Sequence, residues 1–436
     1  MFGTSGIRGP VGEEVTAGLA LAVGRALGAD ADRVVVGRDA RESGRTLLDA
    51  LAAGLRETGT DVVDLGLAAT PTVARGVGWR GADAGVVVTA SHNPPADNGI
   101  KLWQPSGQAF DSALQEELAA RVEADDPGLC AWDGFGERVR RDGRERHVAA
   151  LVEAVDLADP HSVVVDVGNG PGGVTVDALG RLGCAVQTLN AQPDGSFPGR
   201  PSEPTAENCA SLAALVGETD ADVGVAHDGD ADRMRAVTAE GDFLSGDVTL
   251  ALLARAAASE GDEVAAPVDT SLAVEDHLAA AGVAVTRTRV GDVYVAERAS
   301  EPGVAFGGEP SGAWIWPGET LCPDGPLAAC KLVALASERP LAARASEVET
   351  YPIRRDAVET ADKRAVMERV TGRVTDEYSD VSTLDGVRVD LGDAWFLLRA
   401  SGTEPVVRIT AEARDPDRAD GVFAEARELL TDAIGK

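Results

Sequence analysis

The run "RVVVG" at 33–37 reads as a short buried strand. It is followed by "RTLLDALAAGLRETG", an amphipathic helix ending at Gly59, and then by "DVVDLG", a second strand. Strand, helix and strand in that order form a crossover unit, so a mixed or parallel sheet is the constraint on everything else. The stretch "AGVVVTASHNP" continues the pattern, with Val86 to Val88 as strand and Thr89 to Pro94 as its C-terminal loop. Open sheets place ligands beyond the carboxyl ends of their strands, which puts Ser91 in a good position for chemistry.

The pattern restarts at "HSVVVDVGNGPGGVTVDALGRLGCAVQTLN" and runs on through "ADVGVAHDGDADR", "VAAPVDTSLAVEDHLAAAGVAVTRTRVGD" and "VAFGGEPSGAW". Recurring texture alone does not establish that these units share one arrangement. After "ASERPLAARASEVETYPIRRD", the stretch "GVRVDLGDAWFLLRASGTEPVVRITAEA" looks antiparallel, and a last helix is expected over 416–434. The expected fold class is α/β: three related α/β domains with mixed sheets at 1–150, 151–250 and 251–345, and a smaller α+β C-terminal domain at 346–436.

Charge narrows the function classes. Lys+Arg 40 against Asp+Glu 72 gives a net charge of −32, which disfavours nucleic acid and anionic lipid as partners. Lys101, Lys331, Lys363 and Lys436 are the only lysines, and this arginine skew in so acidic a chain fits a salt-rich, halophilic cytosol. No stretch of 18 apolar residues occurs and "MFGTSGIRGP" lacks a basic segment followed by an apolar one, so a cytoplasmic protein without a membrane span is expected. Cys130, Cys184, Cys209, Cys322 and Cys330 form no CxxC and read as buried free thiols. Monomer and homodimer are not distinguished.

The sharpest polar feature is "AHDGDADR". Asp228, Asp230 and Asp232 alternate, with Gly229 expected to let the backbone fold around a common point. Three carboxylates held close repel, and hard oxygen ligands of this kind suit Mg²⁺. An EF-hand would need glycine and glutamate where the chain has Arg233 and Ala239. In "TASHNPPADNGIK" there is no GxSxG elbow; a phosphorylated Ser91 would instead offer oxygens to a metal and a phosphoryl group to a hydroxyl. His92, a catalytic candidate, would position that loop or donate a hydrogen bond, and Lys101 would assist the incoming hydroxyl or the transferred group. In "RASGTEPVVRI", Arg399, Ser401, Thr403 and Arg408 present donors for a second phosphate, and Gly402 permits close approach. In "FGGEPSGAWIWPG", Glu309 and Ser311 suit vicinal sugar hydroxyls, while Trp314 and Trp316 either flank the pocket or pack.

Taken together, "FGTSGIRG", "TASHNP", "DGDADR", "GGEPSG" and "RASGTEP" resemble the α-D-phosphohexomutase superfamily, in order and over essentially the whole chain. The resemblance implies four domains around a central cleft, a phosphoserine at Ser91, and Mg²⁺ held by Asp228, Asp230 and Asp232 together with Ser91. It implies that Arg8 and Lys101 act near phosphoryl transfer, that Arg233 closes the metal motif, and that Asn169 and Gly170 are structural. It implies a hexose or hexosamine phosphate as substrate and a sugar bisphosphate as intermediate and activator. Many relatives carry histidine where this chain has Ala313, which shifts proton handling toward Lys101, Arg8 or solvent. Similarity of the opening motif and the sugar loop implies interconversion of glucosamine 6-phosphate and glucosamine 1-phosphate. Mannose or glucose phosphates are the alternative substrates. A metal-dependent phosphatase and a noncatalytic sugar-phosphate sensor are the readings from other classes.

Overall fold

Valine runs form the strands of the first sheet. The computed structural model describes residues 6–402 and 405–435. In it β1 (Ile7–Pro10), β2 (Arg33–Arg38), β3 (Asp61–Leu67), β4 (Ala84–Val88), β5 (Asp97–Trp103) and β6 (Arg138–Arg140) take the order β1-β5-β4-β2-β3-β6. The pairs β4–β2, β2–β3 and β3–β6 are parallel, and β5 runs antiparallel to both neighbours. Val34, Val36, Val86 and Val88 pack with Leu47, Leu51 and Leu55 of the helix Gly44–Glu57, whereas Val35 and Val87 pack with Val73 and Val77 of the helix Thr70–Trp79. Helices on both faces are why these strands read as continuous apolar runs. Each buried valine contributes roughly 1.5 to 3 kcal/mol.

The next two sheets repeat the plan. β7 (Ser162–Asp166), β8 (Ala185–Leu189), β9 (Val223–His227) and β10 (Met234–Thr238) take the order β10-β9-β7-β8. β11 (Glu263–Pro267), β12 (Ala284–Thr288), β13 (Val304–Gly308) and β14 (Trp314–Ile315) take the order β12-β11-β13-β14. Within each sheet the sequence β5-β4-β2-β3, β10-β9-β7-β8 or β14-β13-β11-β12 places one antiparallel hairpin beside two parallel strands. The three units therefore share one arrangement, and the loops Thr89–Ala96, Asp228–Arg233 and Glu309–Ala313 occupy the same hairpin position in each. The limit expected at 150 falls within the helix Arg144–Glu153, whose Val148 and Leu151 pack into the core shared by the second and third units. The limit at 250 likewise falls within the helix Gly246–Ala257.

The fourth sheet is antiparallel. β15 (Ile353–Glu359), β16 (Val381–Ser382), β17 (Val387–Asp390), β18 (Ala394–Ala400) and β19 (Val406–Ala413) take the order β15-β19-β18-β17-β16. The helices Lys363–Glu377 and Pro416–Ile434 share its core, the latter over the expected range. This α+β unit is tied to the third by Glu412, which accepts from Leu272 N at 2.8 Å, from the Ser271 hydroxyl and from Trp395 Nε1 at 2.6 Å. Between the first and third units, Asp324 Oδ2 accepts from Arg75 Nε at 2.7 Å and meets His147 Nε2 at 3.2 Å. Among the described residues no helix is long and apolar enough to cross a membrane. All five cysteines are free; four are buried and Cys130 is half-buried.

Candidate active site

Ser91 sits where β4 ends, 1% exposed and in the left-handed conformation at φ 51°. Its amide donates to Thr89 Oγ1 at 2.8 Å, and the Thr89 hydroxyl donates to Asp39 Oδ2 at 2.7 Å. The turn thereby aims the Ser91 hydroxyl across the boundary between units, where it donates to Asp228 Oδ2 at 2.7 Å. His92 Nδ1 lies 3.4 Å from the Ser91 hydroxyl oxygen. Burial first, then Arg233, Arg8 and Lys101, push the His92 pKa far below the usual imidazole range, so its ring is neutral.

Asp228, Asp230 and Asp232 follow β9, whose last residue, His227, is fixed by Thr175 at 2.8 Å and by the Arg233 carbonyl at 2.9 Å. One carboxylate oxygen from each aspartate lies within 4.8 Å of the others, all buried. Thr70 donates to Asp230 Oδ2 at 2.6 Å, and Lys101 Nζ meets Asp230 Oδ2 at 3.2 Å and Asp232 Oδ2 at 2.5 Å. Asp230 Oδ1 and Asp232 Oδ1 are buried without a hydrogen-bond donor among the described residues, which is what a hard cation would satisfy. Burial and the neighbouring carboxylates push Asp228 up; burial and Asp230 push Asp232 up. Asp230, despite its burial, is held below the usual range by Lys101 and Thr70. Burial would lower the Lys101 pKa, but Asp230 and Asp232 outweigh it and raise it well above its ordinary value.

Gly229 serves a different purpose from the one expected. The left-handed residue of this loop is Ala231 at φ 58°, and a Cβ on Gly229 would lie 2.5 Å from the Ser91 carbonyl oxygen. Glycine is needed there so that two loops from different units can touch.

A cleft of about 450 Å³ gathers the remaining residues: Arg8, Ser91, His92, Lys101, Asp232 and Arg233 from the first two units, Glu309 and Ser311 from the third, and Arg399, Ser401, Gly402 and Arg408 from the fourth. Arg8 lies on β1 opposite Gly99, with Nε buried and without a partner among the described residues. Glu309 accepts from Gly291 N at 2.7 Å and from the Ser311 hydroxyl at 3.1 Å, and its amide donates to the Ala313 carbonyl at 2.9 Å. Arg233 bridges to Ala313, which couples the aspartate loop to this one. Arg399 and Arg408 are cross-strand partners on β18 and β19, and Arg399 Nη1 lies 3.4 Å from Asp385. Lys363 Nζ donates to the Ser401 carbonyl. Thr403 lies outside the described residues. Trp314 and Trp316 pack: Trp314 is fully buried and donates to the Met234 carbonyl at 2.9 Å, and Trp316 meets Phe306 edge-on at 4.9 Å.

Comparison with known proteins decides the family. Residues 1–128, 145–241 and 245–351 match phosphoglucomutase/phosphomannomutase alpha/beta/alpha domains I, II and III, and residues 354–429 match the C-terminal domain of the same family. The chain belongs to the phosphoglucomutase/phosphomannomutase family. A protein of Methanopyrus kandleri named "Probable phosphoglucosamine mutase" is 47% identical, covering 99% of this chain and 97% of its own. One of the same name from Methanothermobacter thermautotrophicus is 44% identical, covering 100% and 98%. A solved phosphoglucomutase/phosphomannomutase family protein from Burkholderia thailandensis has a TM-score of 0.89 at 28% identity, covering 99% of this chain and 98% of that one. The Aspergillus fumigatus N-acetylphosphoglucosamine mutase, solved with GlcNAc-6P and magnesium, shares the fold at a TM-score of 0.64 and 16% identity, covering 99% and 96%.

In this member of the phosphoglucomutase/phosphomannomutase family, sequence reasoning missed Arg41. It is buried beneath the serine loop, its Nη2 donating to the carbonyls of Ser91 at 3.0 Å and Asn93 at 2.6 Å, its Nη1 to those of Pro94 and Asp97, and its Nε to Asp39 at 3.0 Å. The available signal was a charged residue just beyond β2, a strand parallel to β4 and hence ending at the same edge. Asp269 and Asp292, also in the cleft lining, were missed as well.

Glu309 yields a stability prediction. Burial first, then Asp292, raise its pKa to about 7 from an ordinary 4.5. Between those values the folded state holds a proton that the unfolded chain has released, so stability falls as pH rises through that window. Glu309→Gln removes the penalty and keeps an acceptor for the Gly291 amide. Above pH 7 the variant should exceed the parent by up to about 3 kcal/mol, with no such excess below about pH 4.5. Melting curves across that range test it; a gap independent of pH refutes it.

Proposed function

We propose that this chain interconverts glucosamine 6-phosphate and glucosamine 1-phosphate, with Ser91 carrying the phosphoryl group. The observation that carries the reading is the 2.7 Å contact of the Ser91 hydroxyl with Asp228, beside two buried carboxylate oxygens without donors. The substrate class draws its support from the relatives at 44% to 47% identity. Asp228, Asp230 and Asp232, with an oxygen on Ser91, would hold Mg²⁺, which supplies positive charge to phosphoryl transfer. Lys101 and Arg8 face the transferred group, and neutral His92 positions the loop and carries no proton to spare. Glu309 and Ser311 receive the sugar hydroxyls. Arg399, Ser401, Gly402, Thr403 and Arg408 hold the phosphate that is not moving.

In the first transfer the Ser91 Oγ–P bond breaks as a sugar oxygen bonds to phosphorus, and the proton which that oxygen loses passes through solvent to the Ser91 Oγ left behind. The sugar bisphosphate then turns end for end, and the second transfer returns its other phosphoryl group to Ser91 Oγ. Bisphosphate added from outside reloads a dephosphorylated serine, which makes it an activator. Parallel assays on glucosamine, glucose and mannose 6-phosphates should give the highest kcat/KM with glucosamine. Dominance of glucose or mannose overturns the substrate choice. Phosphate release exceeding isomer formation points to a phosphatase, and absence of labelled-phosphate exchange points to a sensor.

A further inference from the structure

A cleft that binds phosphorylated sugars carries three carboxylates in its third-unit lining: Asp269, Asp292 and Glu309. Negative charge facing an anionic substrate is unfavourable, more so where water is scarce. Glu309 alone suffices to accept hydrogen bonds from sugar hydroxyls, and Asp292 Oδ1 also accepts from Val293 N at 3.1 Å, yet both aspartates still put negative charge into the cleft lining. Asp292, the first residue of the helix Asp292–Ala299, is in electrostatic reach of Lys101, Asp232 and Arg233, on the reaction-centre side. Asp269, just beyond β11, faces Arg399 and Arg355 of the fourth unit, on the anchor side. Asp292 lines a small pocket with Lys101, and Asp269 lines a second with Arg355, Arg399 and Arg408. Asp269 Oδ1 is buried at the cleft without a hydrogen-bond donor among the described residues.

A hexosamine phosphate carries its amine on C2, next to C1 and remote from C6. The turn that exchanges C1 and C6 between reaction centre and anchor therefore carries the amine from one end of the cleft to the other. One carboxylate would meet it in only one orientation; a pair, one beside Lys101 and one beside Arg399, meets it in both. We propose that Asp292 and Asp269 are specificity residues that receive the 2-ammonium group of the sugar, Asp292 when C1 lies at Ser91 and Asp269 when C6 does. The inference rests on the hexosamine reading above. It also requires an amine that is cationic, so a neutral N-acetyl group is a poor match for either residue.

Steady-state kinetics of the full-length parent, Asp292→Asn and Asp269→Asn test it, with glucosamine 6-phosphate, N-acetylglucosamine 6-phosphate and glucose 6-phosphate as the compounds supplied. In each variant the ratio of kcat/KM for glucosamine over glucose should fall about tenfold or more. The ratio is internally controlled, since misfolding or a purely structural role lowers both terms together. A parent that prefers glucosamine, with both variants keeping its ratio within about twofold, overturns the inference and leaves the substrate reading standing. A parent that turns over N-acetylglucosamine 6-phosphate as well as glucosamine 6-phosphate overturns the inference too. A parent that prefers glucose overturns the hexosamine reading and the inference with it.

Discussion

Ser91→Ala is expected to lower kcat by a factor on the order of a thousand or more, even with sugar bisphosphate present in excess. The argument is one of position. Ser91 Oγ, the proposed phosphoryl carrier, is the oxygen that β4 delivers to the buried aspartates, and neighbouring His92 is neutral and sits 3.4 Å from it. Alanine leaves the Thr89 contact to the residue-91 amide in place, so the loop keeps its shape while losing its nucleophile. Intact mass supplies the second readout: the parent, incubated with bisphosphate, should gain about 80 Da at this residue and the variant should not. Turnover of the variant within tenfold of the parent removes Ser91 from the mechanism.

Arg41→Met should destabilise the protein by about 3 to 5 kcal/mol, the cost of breaking a buried ion pair from one side. Arg41 and Asp39 are both fully buried, and burial already raises the Asp39 pKa to about 6 against the opposing pull of Arg41. Methionine fills much of the space but leaves that carboxylate uncompensated, together with four carbonyls of the serine loop. Adding Asp39→Asn should recover part of the stability by removing the stranded charge, yet it should not recover kcat, because the carbonyls of Ser91 and Asn93 still lack their donor. Thermal melts and kinetics on the single and double variants separate the two effects. A single variant as stable as the parent, or a double variant with restored kcat, would show that Arg41 does not shape the loop.

Valine runs exposed the sheets to sequence reading because strands covered by helices on both faces carry no polar alternation, and Val86 to Val88 are wholly buried. Ser91 and the three aspartates were legible because their spacing is itself chemical. What stayed hidden depended on pairings across long stretches of chain. Nothing local marks Arg41 as the donor to Asn93, or Glu412 as the acceptor for the start of the helix Leu272–Ala279. The identical placing of the serine, aspartate and glutamate loops required strand order, which texture does not encode. Gly229 reads in the sequence as a flexible position, whereas its small size is what the contact with the Ser91 carbonyl requires.

The pairing of β1 with β5, and the spread of cleft residues from Arg8 to Arg408, bear on how the molecule is made. On a ribosome, Ile7 must wait for Ile100 before it has a partner, and Arg8 waits for nearly the whole message to be read before the opposite wall exists. Such distant pairings slow folding and favour assembly unit by unit. A nascent or prematurely terminated product therefore presents isolated fragments of the machinery, and the wall that carries Arg399 and Arg408 has its core only once the helix Pro416–Ile434 has also been made.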